Sequence, residues 1–282
     1  MGLTTTDPSI RVAFADTAIE IHCEDAELAV TLRQFFCHCD GLTDPRVIYR
    51  ITRPQPNLWL TERSGQVIRQ DMQNLDVLEG LMHDLVAQLI THTRGQAVFH
   101  AAGVEKNGRT ALLVADSGAG KSSLTGWLVS QGFNYLSDEI LAWDAATGQV
   151  SGLARPLVLK RGATALWQGW LSAAGRLERA APFGNGTLWL DPDLIHPAAI
   201  TRQAAPGLLL FPRFNRDSDF QCTRLSQAEA VFNLMQHLVN GPNLAGEGFE
   251  TAASMAKACP AYRLEYGEFS DNLAGWIRSE LN

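Results

Sequence analysis

A mixed α/β fold is predicted for this chain of 282 residues, and three features of its sequence predict it. A glycine-rich turn, A-D-S-G-A-G-K-S-S over residues 115–123, stands between a buried strand and an amphipathic helix. An antiparallel hairpin closed at Asn107 and Gly108 runs straight into that turn. Ahead of both, residues 1–94 mix short strands with two helices, the pattern of a small α+β region, which leaves residues 95–282 as the larger domain.

Residues 10–15 and 18–23 alternate like strands around Asp16 and Thr17, and residues 27–36 carry helical spacing. Residues 47–52, 58–62 and 66–69 read as a short antiparallel set with Ser64-Gly65 as one turn. Residues 75–93 form the clearest helix of this region, with Leu78, Leu81, Met82, Leu85, Leu89 and Ile90 on one face.

The hairpin is the feature that discriminates most. Residues 96–105 are expected as one strand and residues 109–115 as its return; many nucleotide-binding folds instead enter the loop strand from a helix. Pairing Lys106 with Arg109 and counting back sets Glu105 against Thr110, Val104 against Ala111, and His100 against Ala115. That register brings His100 beside the mouth of the glycine-rich turn; the alternative is a sheet histidine satisfied by a backbone carbonyl.

The turn itself has the chemistry of a phosphate cradle. Gly118 and Gly120 let the backbone curl so that N–H groups converge, and the following helix adds its dipole. Asp116, Ser117, Ala119 and Ser123 complete the loop, Lys121 supplies a point charge for the outer phosphates, and the Ser122 hydroxyl is placed to ligate Mg²⁺. The usual pattern opens on Gly; here Ala115 stands there, so the first turn must do without a positive φ.

Residues 133–143, F-N-Y-L-S-D-E-I-L-A-W, read as one strand carrying Asp138 and Glu139. An acidic pair there suits a metal shell or a catalytic carboxylate, with Asp138 as Mg²⁺ ligand or proton acceptor and Glu139 sharing the metal. Arg155, Lys160 and Arg213 lie near prolines at the ends of apolar strands and are candidates to neutralise phosphate. Residues 226–239, 251–258 and 271–281 are expected as helices and 261–266 as a strand; residues 170–191, with Gly175, Pro182, Gly184 and Gly186, are expected as a loop-rich lid.

A formal charge of −7 and a pI near 5.5 argue against a nucleic-acid backbone or an anionic membrane as partner, and favour a small molecule or a protein. No export signal and no spanning run is read at the N-terminus or elsewhere, so a cytoplasmic protein with reduced thiols is expected. The run Cys37-His38-Cys39 lacks the spacing that lets two thiolates grip one zinc and reads as packed thiols beside a turn.

Taken together, these motifs resemble the catalytic domain of HPr kinase/phosphorylase and its HPr-kinase-related relatives, which include lasso-peptide precursor kinases. The resemblance spans roughly residues 100–277. It rests on D-S-G-x-G-K-S at Asp116 to Ser122, L-S-D-E ending in Glu139, and R-P-h-x-L-K from Arg155 to Lys160. F-P-R-F ending in Phe214, L-S-x-A-E-A at residues 225–230 and A-Y-R-L-E-Y-G at residues 261–267 follow in the same order.

It implies a phosphate-loop kinase fold of the HPr kinase/PEP carboxykinase type and an ATP- and Mg²⁺-dependent transfer of the γ-phosphoryl group to a serine hydroxyl of a protein or peptide. Asp138 aligns with the carboxylate that acts as base, with His100, Lys121 and Arg213 assisting, and the family suggests a homo-oligomer. A counterpart of the G-L-G-I segment tied to dephosphorylation is not found, so neither phosphorylase activity nor HPr as substrate is implied. A small-molecule kinase, or a nucleotide-binding regulatory or scaffold module without transfer, are the alternatives.

Overall fold

The computed structural model describes residues 9–173, 181–183 and 187–282. The chain divides into two compact units, Met1–Thr93 and Arg94–Asn282.

In the first unit, β1 (Ser9–Phe14), β2 (Thr17–Cys23), α1 (Ala26–Phe35), β3 (Pro45–Gln55), β4 (Leu58–Arg63), β5 (Gln66–Asp71) and α2 (Asn74–His92) follow one another. The five strands lie side by side in chain order. All neighbours are antiparallel except β2 and β3, a parallel pair connected through α1. That helix starts where the Asp25 carboxylate accepts the Leu28 N–H, a cap worth about 1 kcal/mol. α2 buries Val77, Leu78, Leu81, Leu85 and Leu89, the face its leucine spacing predicts. Asp84 of the same helix accepts from the Tyr49 hydroxyl and the Arg63 guanidinium and so ties helix to sheet.

The second unit begins with β6 (Ala97–Phe99), β7 (Ala101–Lys106), β8 (Arg109–Val114), α3 (Lys121–Ser130), β9 (Asn134–Ser137), β10 (Leu141–Asp144) and β11 (Gln149–Gly152). Next come β12 (Leu157–Leu159), α4 (Arg161–Ala173), β13 (Ala181–Phe183), β14 (Thr187–Leu190) and α5 (Pro192–Ile195). It ends with β15 (Gln203–Phe214), β16 (Gln221–Arg224), α6 (Gln227–His237), α7 (Phe249–Ala258), β17 (Ala261–Tyr266) and α8 (Asp271–Glu280). Nine strands make one mixed sheet along the path β6-β10-β11-β15-β8-β7-β9, with β17 joining β15 and β16 joining β17; β12, β14 and β13 form a small antiparallel sheet. Among the described residues no helix is long and apolar enough to cross a membrane.

Both faces of the central strands are covered, which is why they read as unbroken apolar runs. Ala111 and Leu113 of β8, with Leu208 and Leu210 of β15, pack into a core completed by α3 and α8; Leu112, Val114 and Leu209 face a second core under α6 and α7. Truncating one of these, Leu113→Ala for example, would cost about 2–5 kcal/mol.

The hairpin has the register counted from its turn, Lys106 with Arg109 through Ala101 with Val114. Asn107 and Gly108 both have positive φ, 56° and 78°, as a tight two-residue turn between twisted strands requires. His100, however, is not paired within the ladder. The expected single strand over residues 96–105 is two strands, because the His100 N–H donates to the His237 carbonyl at 2.8 Å instead of to a neighbouring strand.

The expected strand over residues 133–143 is likewise two strands. Ser137 Oγ accepts the N–H groups of Glu139 at 3.1 Å and Ile140 at 3.3 Å, turning the chain out of the ladder. With Gly103 opposite Ser137 and Phe99 opposite Leu141, the two interruptions face each other. The apolar strand expected beside Arg155 and Lys160 is the short β12 between them. Within residues 170–191, α4 continues to Ala173, and β13, containing Pro182, pairs with β14. Gly175, Gly184 and Gly186 of the expected lid lie outside the described residues.

Candidate phosphate-binding site

The carboxyl ends of four strands pointing the same way define one rim of the large sheet. β15 runs parallel to β8, and β17 parallel to β15; β7 is antiparallel to both β8 and β9, so β9 also runs with β8. The glycine-rich loop leaves β8 in the middle of this rim, with the end of β9 on one flank and the ends of β15 and β17 on the other. Open α/β sheets hold their ligands at such a rim.

Gly118 and Gly120 take φ of 90° and 88°, while Ala115 stays outside the left-handed region, so the loop curls at its two glycines alone. A Cβ on Gly118 would meet nothing within 4 Å, so that glycine is required by its backbone angle and not by crowding. Gly120 is also the N-cap of α3; no side chain caps the helix, and Leu124 is the first residue whose N–H closes on it, through the Gly120 carbonyl. The N–H groups of the first turn therefore face the loop, an arrangement that favours an anion.

Lys121 is buried, and its Nζ donates to the carbonyls of Ala115 and, at 3.1 Å, Asp116. Its third neighbour is His100 Nε2 at 3.3 Å. Burial lowers the Lys121 pKa against the opposing pull of Glu139, Asp138 and Asp116. Lys160, just beyond β12, donates to Ser117 Oγ at 3.0 Å and sets a second ammonium on the loop. Ser122 and Ser123 lie half-buried in the first turn of α3 beside Ala119. Asp116 is exposed, and its Oδ1 lies 3.4 Å from His237 Nε2.

The two facing interruptions assemble the acidic flank. His100 Nδ1 lies 3.9 Å from Glu139 Oε1, and burial together with the Lys121 charge lowers the His100 pKa. Glu139 also accepts from Arg155. Burial works against its ionisation, but Arg155, His100 and Lys121 outweigh that and hold its pKa below the ordinary carboxylate value.

Asp138 differs from the expectation of a carboxylate open to an acceptor. Its side chain is 1% exposed; Oδ1 accepts from the Tyr135 hydroxyl at 3.2 Å and lies 3.6 Å from Arg155, while Oδ2 accepts the Val158 N–H at 3.2 Å. Glu139, with 32% of its side chain exposed, is the more accessible of the pair.

Arg155 corrects another expectation. It is buried and turned to Asp138 and Glu139, so its guanidinium balances the carboxylates instead of standing free at the loop. Burial alone would lower its pKa, yet the two carboxylates raise it. Arg213 is exposed near the end of β15, paired in register with Glu265, whose carboxylate its charge faces. Lys121, Lys160, Asp116, Ser117 and His100 are thus drawn together, as are Asp138, Glu139 and Arg155, and Arg213 stands apart.

Sequence reasoning passed over His237 and Tyr135. No motif marks either: His237 reaches the loop because the end of α6 is stitched to β6 and its flank, through the Val239 N–H to the Val98 carbonyl and the His100 N–H to the His237 carbonyl. Tyr135 sits three residues before Asp138 on a strand that reads as ordinary core.

The donor types fit the groups the loop implies. Backbone N–H groups and two ammonium groups suit phosphate oxygens, and the Ser122 hydroxyl with Glu139 offers the hard oxygen ligands Mg²⁺ prefers. No protein-family model matches the chain, and no curated protein matches it. Among solved structures it is similar to the Hpr(Ser) kinase/phosphatase from Coxiella burnetii, at 12% identity over 65% of this chain and 87% of that chain, with a TM-score of 0.32. A likeness at that level is distant, and the site is read from its own residues.

Proposed function

We propose that the chain is an ATP- and Mg²⁺-dependent phosphotransferase acting on a hydroxyl group. The observation that carries this reading is the juxtaposition of a doubly left-handed glycine loop and buried Lys121 with the carboxylate pair across from it. The loop N–H groups, Lys121 and Lys160 would hold the triphosphate, and Ser122 with Glu139 the metal. The nucleotide supplies the phosphoryl group when bound, and such transfer depends mainly on alignment and neutralisation of charge.

In this reading Asp138 takes the proton of the acceptor hydroxyl, and Arg155 holds the acidic pair in place. His100 keeps Lys121 aimed along the loop. A serine of a protein or peptide is the acceptor that the motif resemblance implies, with a small-molecule hydroxyl as the alternative class.

One observation favours a second reading, a nucleotide-binding module that performs no transfer. The Asp138 carboxylate is sealed and engaged by Tyr135, Val158 and Arg155. Incubation with γ-labelled ATP and hydroxyl-bearing acceptors, beside a nucleotide titration, separates the two. Asp138→Asn is expected to abolish transfer while leaving ATP affinity within about twofold. ATP binding by the wild type without transfer to any acceptor supports the module, and absence of ATP binding sinks both readings.

A further inference from the structure

The flank of the loop opposite the acidic pair carries two features that folding alone does not account for. Phe214, the last residue of β15, is a large apolar side chain 50% exposed, where the strand has left the core in which Leu208, Leu209 and Leu210 are fully buried. Tyr266, the last residue of β17, is 1% exposed, yet its hydroxyl has no hydrogen-bond partner among the described residues. Both stand against the loop: a Cβ placed on Gly120 would lie 3.6 Å from the Tyr266 hydroxyl and 3.9 Å from Phe214 Cβ. Leaving a buried hydroxyl unpaired is costly, and such groups in native structures point to a missing partner.

The Phe214 ring is firmly held. It meets Tyr266 edge to face at 5.8 Å, and Tyr266 in turn stacks on Phe269 at 6.0 Å. The chain just after it is pinned, with the Asn215 N–H donating to the Tyr266 carbonyl at 2.9 Å. Asn215 Nδ2 and Ser218 Oγ both donate to Glu265 Oε1, at 2.8 and 2.6 Å. An exposed aromatic face fixed by this much hydrogen bonding is a preorganised platform, and a heteroaromatic ring is the ligand that such a face takes sequence-tolerantly and well.

We infer that Phe214 and Tyr266 form the nucleoside subsite: the nucleobase stacks on Phe214, and the Tyr266 hydroxyl donates to the nucleotide where it passes Gly120. This rests on the proposed use of a nucleotide by the same loop. The polarity follows from the strand order, because Lys121, His100 and the acidic pair occupy the flank of β9 and the reactive end of a triphosphate belongs with them. The opposite end, which carries ribose and base, then leaves across Gly120 toward the ends of β15 and β17.

The test compares ATP with inorganic tripolyphosphate, each titrated into the full chain with Mg²⁺ by calorimetry. Phe214→Ala is expected to weaken ATP about tenfold and tripolyphosphate by less than about twofold, whereas Phe214→Trp restores ATP binding. Tyr266→Phe is expected to weaken ATP about threefold while leaving the melting temperature of the free protein unchanged or raised, since it removes an unpaired buried hydroxyl.

The inference is overturned if Phe214→Ala leaves ATP affinity unchanged, or lowers both ligands equally. It also fails alone if the wild type binds tripolyphosphate as tightly as ATP, a result that leaves the loop reading intact. If the wild type binds neither ligand, the loop reading fails and takes the subsite with it.

Discussion

The two flanks of the glycine-rich loop are built on opposite plans. On the β9 side every charged group is paired: Glu139 with Arg155, Asp138 with Tyr135, Val158 and Arg155, and Lys121 with two carbonyls and His100. On the β15 and β17 side an exposed phenyl ring stands beside a hydroxyl with no hydrogen-bond partner among the described residues. The difference separates two tasks. A charged cluster in a partly dry site must be neutral before anything arrives, because each unpaired buried charge costs several kcal/mol. An aromatic face loses little by waiting in water, and its missing contact is supplied by the ligand.

The sharpest way to break this contrast is to unbalance the charged flank. Arg155→Met removes the cation shared by Asp138 and Glu139, and chemical denaturation should show a loss of about 3–5 kcal/mol. Adding Asp138→Asn and Glu139→Gln in the same chain should recover most of it; no recovery would mean that Arg155 acts by packing.

Lys121→Ala comes next, with an expected loss of about a hundredfold or more in affinity for both ATP and tripolyphosphate, read by calorimetry. An equal affinity in this variant would separate the loop from phosphate altogether.

A smaller effect is pH-dependent. Burial and Lys121 depress the His100 pKa below the ordinary 6.5, so on acidification the unfolded chain binds this proton first. The contribution is complete above about pH 6.5 and is lost as pH falls from there toward the folded-state value. His100→Asn should flatten that limb of the stability curve, measured by urea midpoints across the range, and a limb unchanged in the variant would assign it elsewhere. Among the described residues the other groups facing His100 are Glu139, Lys121 and His237, so Glu139→Gln in the same series apportions the effect. The mildest change is Tyr266→Phe, which should leave the acidic limb untouched.

Much of this arrangement is legible in the residues, and the reasons for the rest are physical. Asn107-Gly108 announces a tight turn, and six residue pairs counted from it locate the histidine strand against the loop strand. Gly118, Gly120 and Lys121 mark the loop in advance, because two glycines at a strand-to-helix junction permit the positive φ that the loop takes.

The strand breaks are different. Residues 96–105 and 133–143 are largely apolar on both sides of their interruptions, so hydrophobic pattern alone carries the strand across one histidine in the first and a short polar stretch in the second. What stops each ladder is a single competing acceptor, Ser137 Oγ in one case and the His237 carbonyl from the far end of α6 in the other. The partnership of Arg155 is hidden for the same reason: a cation beside a proline reads equally well as facing phosphate or carboxylate, and only the fold shows which lies nearer. Phe214 and Tyr266 pass as ordinary strand residues, since exposure and an unpaired hydroxyl are properties of packing and not of sequence pattern.

The turn at Asn107 and Gly108 acts as a gauge for a site about 20 Å away along the hairpin. Because β7 is measured off from it residue by residue, lengthening the turn by one would slip Ala101 one place against Val114 and draw the adjoining His100 away from Lys121, without a single substitution near the loop. Insertions at that distant tip should therefore be felt at Lys121 as keenly as changes made beside it.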